Sequence, residues 1–135
     1  MEKTINYFET YPQVIEHHCE KTVLHKESLA YLFSQACLRE LTTLEGRIRG
    51  IKIVFGLKYN VPVYINDYLL FFKITSGPNQ YWINFFQIYD IQKKDQQTLV
   101  IFKNKDYLLI NKSFRIFRKT YEKAMLIADY KNGLH

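Results

Sequence analysis

From Leu29 onward apolar residues recur at three- and four-residue steps, through Leu32, Phe33, Ala36, Cys37, Leu41 and Leu44, which is the stripe of an amphipathic helix laid on a core. Ser28 or Ser34 is placed to cap this helix, and Gly46 or Gly50 to close it in the left-handed conformation. Beyond Gly50 the period changes. β-Branched and aromatic residues dominate Ile53, Val54, Phe55, Val61, Val63, Tyr64 and Ile65, where strands are expected to begin. Leu69 to Thr75 is a second run, Ser76-Gly77-Pro78-Asn79 carries turn chemistry, and Tyr81 to Ile91 is a long third run. Lys93 to Gln97 reads as a polar loop, Leu99 to Phe102 as a strand, and Asn104-Lys105 as a tight hairpin into Tyr107 to Ile110. Leu99 and Ile101 alternate with Val100 and Phe102, so apolar side chains fall on both parities and both strand faces are expected to be covered.

A last helix opens near Asn111 or Ser113, with Phe114, Phe117, Tyr121, Ala124, Met125 and Ala128 on its apolar side. Ahead of the first helix, residues 12 to 26 mix short apolar stretches with charge and suggest one or two strands, while the first ten residues are expected to be loosely held. The fold class that emerges is α+β: a β-rich single domain over residues 1–135, with an early helix, a meander of about five to seven strands and a C-terminal helix on the sheet.

Composition supports a folded domain, since apolar residues make up 47% and aromatics 16% of the chain, with few glycines and prolines. Net charge changes the picture more. The overall value is +6, yet residues 1 to 33 set three lysines against five glutamates, whereas the remainder sets 16 Lys and Arg against eight acids. A basic excess confined to the later part suits a polyanionic partner, because Lys and Arg neutralise phosphates with release of condensed counterions.

Two cysteines, Cys19 and Cys37, and the lack of a signal-like start point to a reduced, cytoplasmic protein, and no apolar stretch approaches the ~20 residues of a membrane span. Metal chemistry has one candidate, the His17-His18-Cys19 cluster with His25 and Cys37, but its spacing is poor because neighbours on a strand face opposite ways. Cys37 lies on the apolar stripe of its helix and reads as an inert core thiol. P-loop, dinucleotide-binding, Gly-x-Ser-x-Gly and paired-carboxylate patterns are missing, which argues against an enzyme; no cofactor is implied.

The stretch from Cys37 to Ile91 carries a spaced pattern. Nine residues after Cys37 comes Gly46-Arg47-Ile48-Arg49-Gly50, and later Pro62-Val63-Tyr64-Ile65-Asn66, Leu69-Leu70-Phe71-Phe72, the Gly77-Pro78 turn and Trp82-Ile83-Asn84. In this the chain resembles the competence transcription factor family, ComK, with the Asn104-Lys105 hairpin and Ser113-Phe114 helix start falling where that family has theirs. Departures include Lys73 at a family proline, Leu38 at a family arginine, and a family glycine missing between Cys37 and Gly46. The C-terminal extension through which the family engages a proteolytic adaptor has no counterpart before His135, so the chain reads as a shortened member. The resemblance implies a transcription activator that binds A/T-rich double-stranded DNA, largely through the minor groove, as dimers that pair on DNA.

Narrow A·T minor grooves attract cationic side chains, arginine above all. Arg47 and Arg49, between two glycines, are the first candidates, the alternative being that the glycines close a helix and the arginines are solvated. Arg39, Lys52 and Lys58 extend that basic stretch. Lys103 and Lys105 sit at a hairpin tip, and Arg115 and Lys119 share a face of the last helix with Lys112 and Lys123. Trp82 is read as core, and exposed aromatics such as Tyr68, Phe71 or Tyr89 as dimer contacts. Two further readings are a LytTR-like DNA-binding domain and a truncated relative that acts through a regulatory protein partner without binding DNA.

Overall fold

A computed structural model describes residues 1–10 and 13–133. The start of the expected early strand region, at residue 12, and the C-terminal His135 lie outside the described residues. In chain order the elements are β1 (Tyr7–Glu9), β2 (Val14–His18), β3 (Lys21–His25), α1 (Leu29–Arg39), α2 (Leu44–Phe55), β4 (Val63–Asn66), β5 (Leu69–Ser76), β6 (Asn79–Asn84), a single 3-10 turn (Phe85–Gln87), β7 (Ile88–Lys94), β8 (Gln97–Phe102), β9 (Tyr107–Ile110) and α3 (Phe114–Lys131). The expected α+β class holds, with, among the described residues, two early helices instead of one and nine strands in two sheets. One sheet is ordered β3-β2-β1-β6-β5-β4 and the other β7-β8-β9, antiparallel throughout.

On β5 the doubly apolar pattern is explained by what covers each face, whereas on β8 the expectation fails: Val100 and Phe102 are buried, but Leu99 and Ile101 stay half-buried on a face shared with exposed Tyr107 and Leu109. Along β5, Leu70, Phe72 and Ile74 join one core with Phe117, Ala124, Ile127 and Ala128 of α3 and Val100, Phe102 and Ile110 of the second sheet. Leu69 and Phe71 point the other way, into a second core with Phe8 of β1 and Leu29, Phe33 and Cys37 of α1. Strand alternation therefore feeds two cores from one sheet. Trp82 stands edge-on to Phe33 in that second core, as expected, but Phe71 is fully buried and does not serve as an exposed dimer contact; Tyr68 and Tyr89 do lie exposed.

Two further expectations from the pattern fail. The opening residues are not loosely held: Ile5 and Phe8 are fully buried and β1 lies between β2 and β6, pairing Phe8 with both Glu16 and Trp82. A three-residue strand is too short to show a period, so its place in the sheet comes from its neighbours. The helical stripe, moreover, does not run on through Leu41 and Leu44. Leu41 adopts φ 60 and is 95% exposed, α1 ends by returning the Thr42 amide to the Cys37 carbonyl, and Thr43 caps a new helix by accepting from the Gly46 amide. That helix runs through Ile53–Phe55, where a strand was expected, and ends at Gly56 in the left-handed conformation. The helical spacing of Leu44, Ile48, Ile51 and Phe55, all at least half-buried, outweighs the β preference of the individual residues.

The long run Tyr81 to Ile91 is broken at Asn84, where the chain leaves the first sheet for the second. Asn84 is fully buried and its side-chain amide meets four backbone groups. It accepts from the Leu70 amide (3.2 Å) and the Phe86 amide (3.3 Å), and donates to the carbonyls of Ile5 (2.9 Å) and Tyr68 (3.0 Å). The second sheet closes with tight turns, Asp95 at φ 54 between β7 and β8 in place of a longer loop, and Lys105 at φ 76 in the expected β8–β9 hairpin. Ser113 caps α3 by accepting from the Ile116 amide.

Replacing Asn84 with Ala strands four backbone groups, of which the Ile5 carbonyl and the Leu70 amide are in fully buried bonds, and a buried group left unpaired costs about 1–3 kcal/mol. We expect Asn84→Ala to lower unfolding free energy by about 3–5 kcal/mol in urea titrations, and Asn84→Asp, which loses both donors, to be comparably destabilised.

Candidate nucleic-acid interface

The basic residues fall into separate places, fixed by the elements that carry them. At the start of α3 an open groove of about 750 Å³ runs between the helix and the β7–β8 turn, and Lys93, Arg115, Arg118 and Lys119 line it together. The second sheet holds this geometry, because the Thr98 hydroxyl donates to the Lys112 carbonyl (3.0 Å) one residue ahead of the Ser113 cap. No acid occupies the first turn of α3, so its free amides and the positive end of its dipole are uncompensated there. Asp95 and Glu122 also line the groove, and Glu122 accepts from the Arg118 Nε (2.8 Å) in an exposed pair. Three cations are left without a carboxylate partner among the described residues.

Arg115 and Lys119 were legible as a helix face, while Lys93 and Arg118 complete the groove. Arg118 is reached by helical spacing alone, one turn from Arg115. Lys93 is brought in only by the β7–β8 hairpin.

Arg47 and Arg49 do not share a face. Successive helix positions turn by about 100°, and two steps put the pair on opposite sides of α2. Arg49 is exposed, with Lys52 one turn further along the same outer surface. Arg47 turns inward: its Nη2 donates to the Ile65 carbonyl of β4 (3.2 Å) and its guanidinium lies over the Tyr64 ring, 5.0 Å from the centroid. Burial and the hydrogen bond to Asp67 (2.6 Å) hold the Tyr64 hydroxyl well above the usual tyrosine range. Neither glycine of the Gly-Arg-x-x-Gly stretch closes a helix, since both lie inside α2 and Gly56 ends it.

Lys58 is exposed in the loop after α2. Arg39, at the end of α1, lines a different cleft, which it shares with Glu2, Glu16 and His25. Lys103 and Lys105 are exposed at the far end of β8, roughly 20 Å from the α3 groove at ~3.4 Å per strand residue. Their hairpin is docked on the N-terminal segment, where Asn104 and Asn6 exchange side-chain hydrogen bonds at 3.1 and 3.3 Å. Among the described residues the histidines are engaged by carboxylates: His17 with Glu9 (3.1 Å), and both His18 and His25 with Glu16. Among the described residues no group of three His, Cys, Asp or Glu is placed to hold a metal ion. Cys37 is buried in the α1 core, and burial pushes its thiol up from the usual range.

Two pieces of the spaced sequence pattern thus meet, with Arg47 on α2 bound to Tyr64-Ile65 on β4 through a single guanidinium. A family model described as "ComK protein" matches residues 2–131. The chain belongs to the ComK family. No curated protein and no solved structure matches it. The ComK family consists of competence-related transcription regulators and is not a family of enzymes, and its match takes the place of the LytTR-like reading. Among the described residues no helix is long and apolar enough to cross a membrane.

The two glycines of the ComK-like motif differ in what they tolerate. A Cβ at Gly46 would stand 2.9 Å from the Thr43 hydroxyl that caps α2, whereas one at Gly50 would meet nothing within 4 Å. Alanine gains about 1 kcal/mol over glycine inside a helix, and losing a Thr cap costs about as much. Gly50→Ala is therefore expected to stabilise the protein by about 0.5–1 kcal/mol, and Gly46→Ala to show no gain, by thermal or urea unfolding.

Proposed function

We propose that this ComK-family protein regulates transcription by binding double-stranded DNA, with the α3 groove seated on the phosphate backbone and Arg49 and Lys52 of α2 directed to the duplex. The observation that carries this reading is the convergence of Lys93, Arg115, Arg118 and Lys119 on the uncompensated, Ser113-capped start of α3. Backbone amides at a helix start and several cations around an open groove suit a phosphodiester chain, which needs charge neutralisation without base-specific contacts.

Sequence preference for A·T tracts is assigned to Arg49, the member of the motif pair whose guanidinium is exposed; Arg47 supports α2 from below. Lys58, Lys103 and Lys105 are flexible exposed cations that extend the attraction over a longer duplex. Two copies are taken to pair on adjacent half-sites, as paired sites call for paired subunits. A face of the second sheet suits such pairing, with Leu99 opposite Leu109 and Ile101 opposite Tyr107, the last 71% exposed.

Fluorescence anisotropy with A/T-rich and G/C-rich duplexes of equal length, at two salt concentrations, tests the assignment. Arg115→Ala with Lys119→Ala should weaken binding to both duplexes at least tenfold and lower the salt slope by about two, at ~0.9 per phosphate contact. Arg49→Ala should instead narrow the gap between the two duplexes. Failure of the unaltered protein to bind either duplex would move the reading to a regulator that acts through a protein partner.

A further inference from the structure

A second cleft, about 260 Å³ in volume, separates α2 from the C-terminal half of α3. Ile51, Val54 and Phe55 of α2 and Ile127 of α3 supply apolar walls, Tyr64 lies between the helices, and Arg47 and Lys131 bring two cations to it. Both sit over the Tyr64 ring, the Arg47 guanidinium carbon and the Lys131 Nζ each 5.0 Å from its centroid.

Two features are unexplained by the fold itself. The first is Gly50, which lines the cleft from within α2. Its φ is not left-handed and an added Cβ would touch nothing within 4 Å, so neither backbone geometry nor packing requires glycine, though it weakens a helix interior. What its missing side chain does is leave the cleft open. The second is the Arg47 Nε, which is buried without a hydrogen-bond partner, an arrangement that costs stability unless something accepts from it.

The nearby acids are otherwise engaged. Asp67 accepts from the Tyr64 hydroxyl and Glu40 from the Asn66 amide, and neither Arg47 nor Lys131 has an ion pair among the described residues. A cleft with apolar walls and unneutralised cations is matched by a ligand with an apolar body and a single anionic head. At ~30 Å³ per water-sized group, the volume admits roughly nine such groups, the size of a medium-chain carboxylate.

We propose that the α2–α3 cleft binds a free medium-chain aliphatic carboxylate, its tail among Ile51, Val54, Phe55 and Ile127 and its head between Arg47 and Lys131. Calorimetric titration of the full chain with octanoate, 1-octanol and butanoate tests this directly. Octanoate is expected to bind saturably at one equivalent, with 1-octanol and butanoate each at least tenfold weaker, because one lacks the charge and the other the tail. Gly50→Leu fills the cleft with a better helix former, and it should lose octanoate affinity at least tenfold while its unliganded melting temperature stays at or above that of the unaltered protein. Lys131→Gln, at an exposed helix end, should weaken octanoate at least fivefold and leave 1-octanol unchanged. The proposal is overturned if octanoate shows no saturable binding, if 1-octanol binds as tightly, or if both variants bind octanoate as the unaltered protein does.

Discussion

One buried side-chain amide holds this fold at the point where it turns from one sheet to the other. Asn84 satisfies a carbonyl before β1, a carbonyl and an amide around the start of β5, and an amide in the 3-10 turn that leads to β7. The four groups lie in loop, turn or strand-start backbone, so without this side chain the seam would leave polar groups unpaired. The asparagine is thus what allows β1 to sit centrally in the first sheet while the chain continues into the second.

The arrangement of the seam decides where the charges fall. With the second sheet leaving at Asn84, the β7–β8 turn reaches the start of α3, and the β8–β9 turn reaches back to Asn6 at the N-terminal segment. One end of β8 therefore presents Lys93 beside Arg115, Arg118 and Lys119, and the other holds Lys103 and Lys105 at a distance. Meanwhile α2 is fastened to β4 through Arg47, which leaves Arg49 and Lys52 outward. The family motif acts as a tether on its inner side and offers charge on its outer side.

Much of the architecture was legible from period and turn chemistry: α1 with its Ser28 cap, the β5–β6 turn, the β8–β9 hairpin and the Ser113 start of α3. The misreadings share a cause, in that tertiary context overrode local preference. Leu41 takes a left-handed turn with no glycine to announce it, so two helices look like one. Ile53, Val54 and Phe55 look like a strand until Thr43 is recognised as a cap and Ile51 as the buried position of a helix. β1 is too short to carry a pattern, and the break at Asn84 hides inside an apolar run. At the candidate interface, Arg115 and Lys119 needed only helical spacing, whereas Lys93 needed the path of a hairpin, and the inward turn of Arg47 needed the position of β4.

The proposed DNA contact depends on the α3 groove holding backbone phosphate. Lysine footprinting by mass spectrometry, comparing amine acetylation of the free protein with that of the protein on an A/T-rich duplex, reads this without altering any residue. Lys93 and Lys119 should be protected together on DNA, while Lys21 and Lys26 on the acidic N-terminal side keep their reactivity. Unchanged labelling of Lys93 and Lys119 on a saturated duplex would contradict the account.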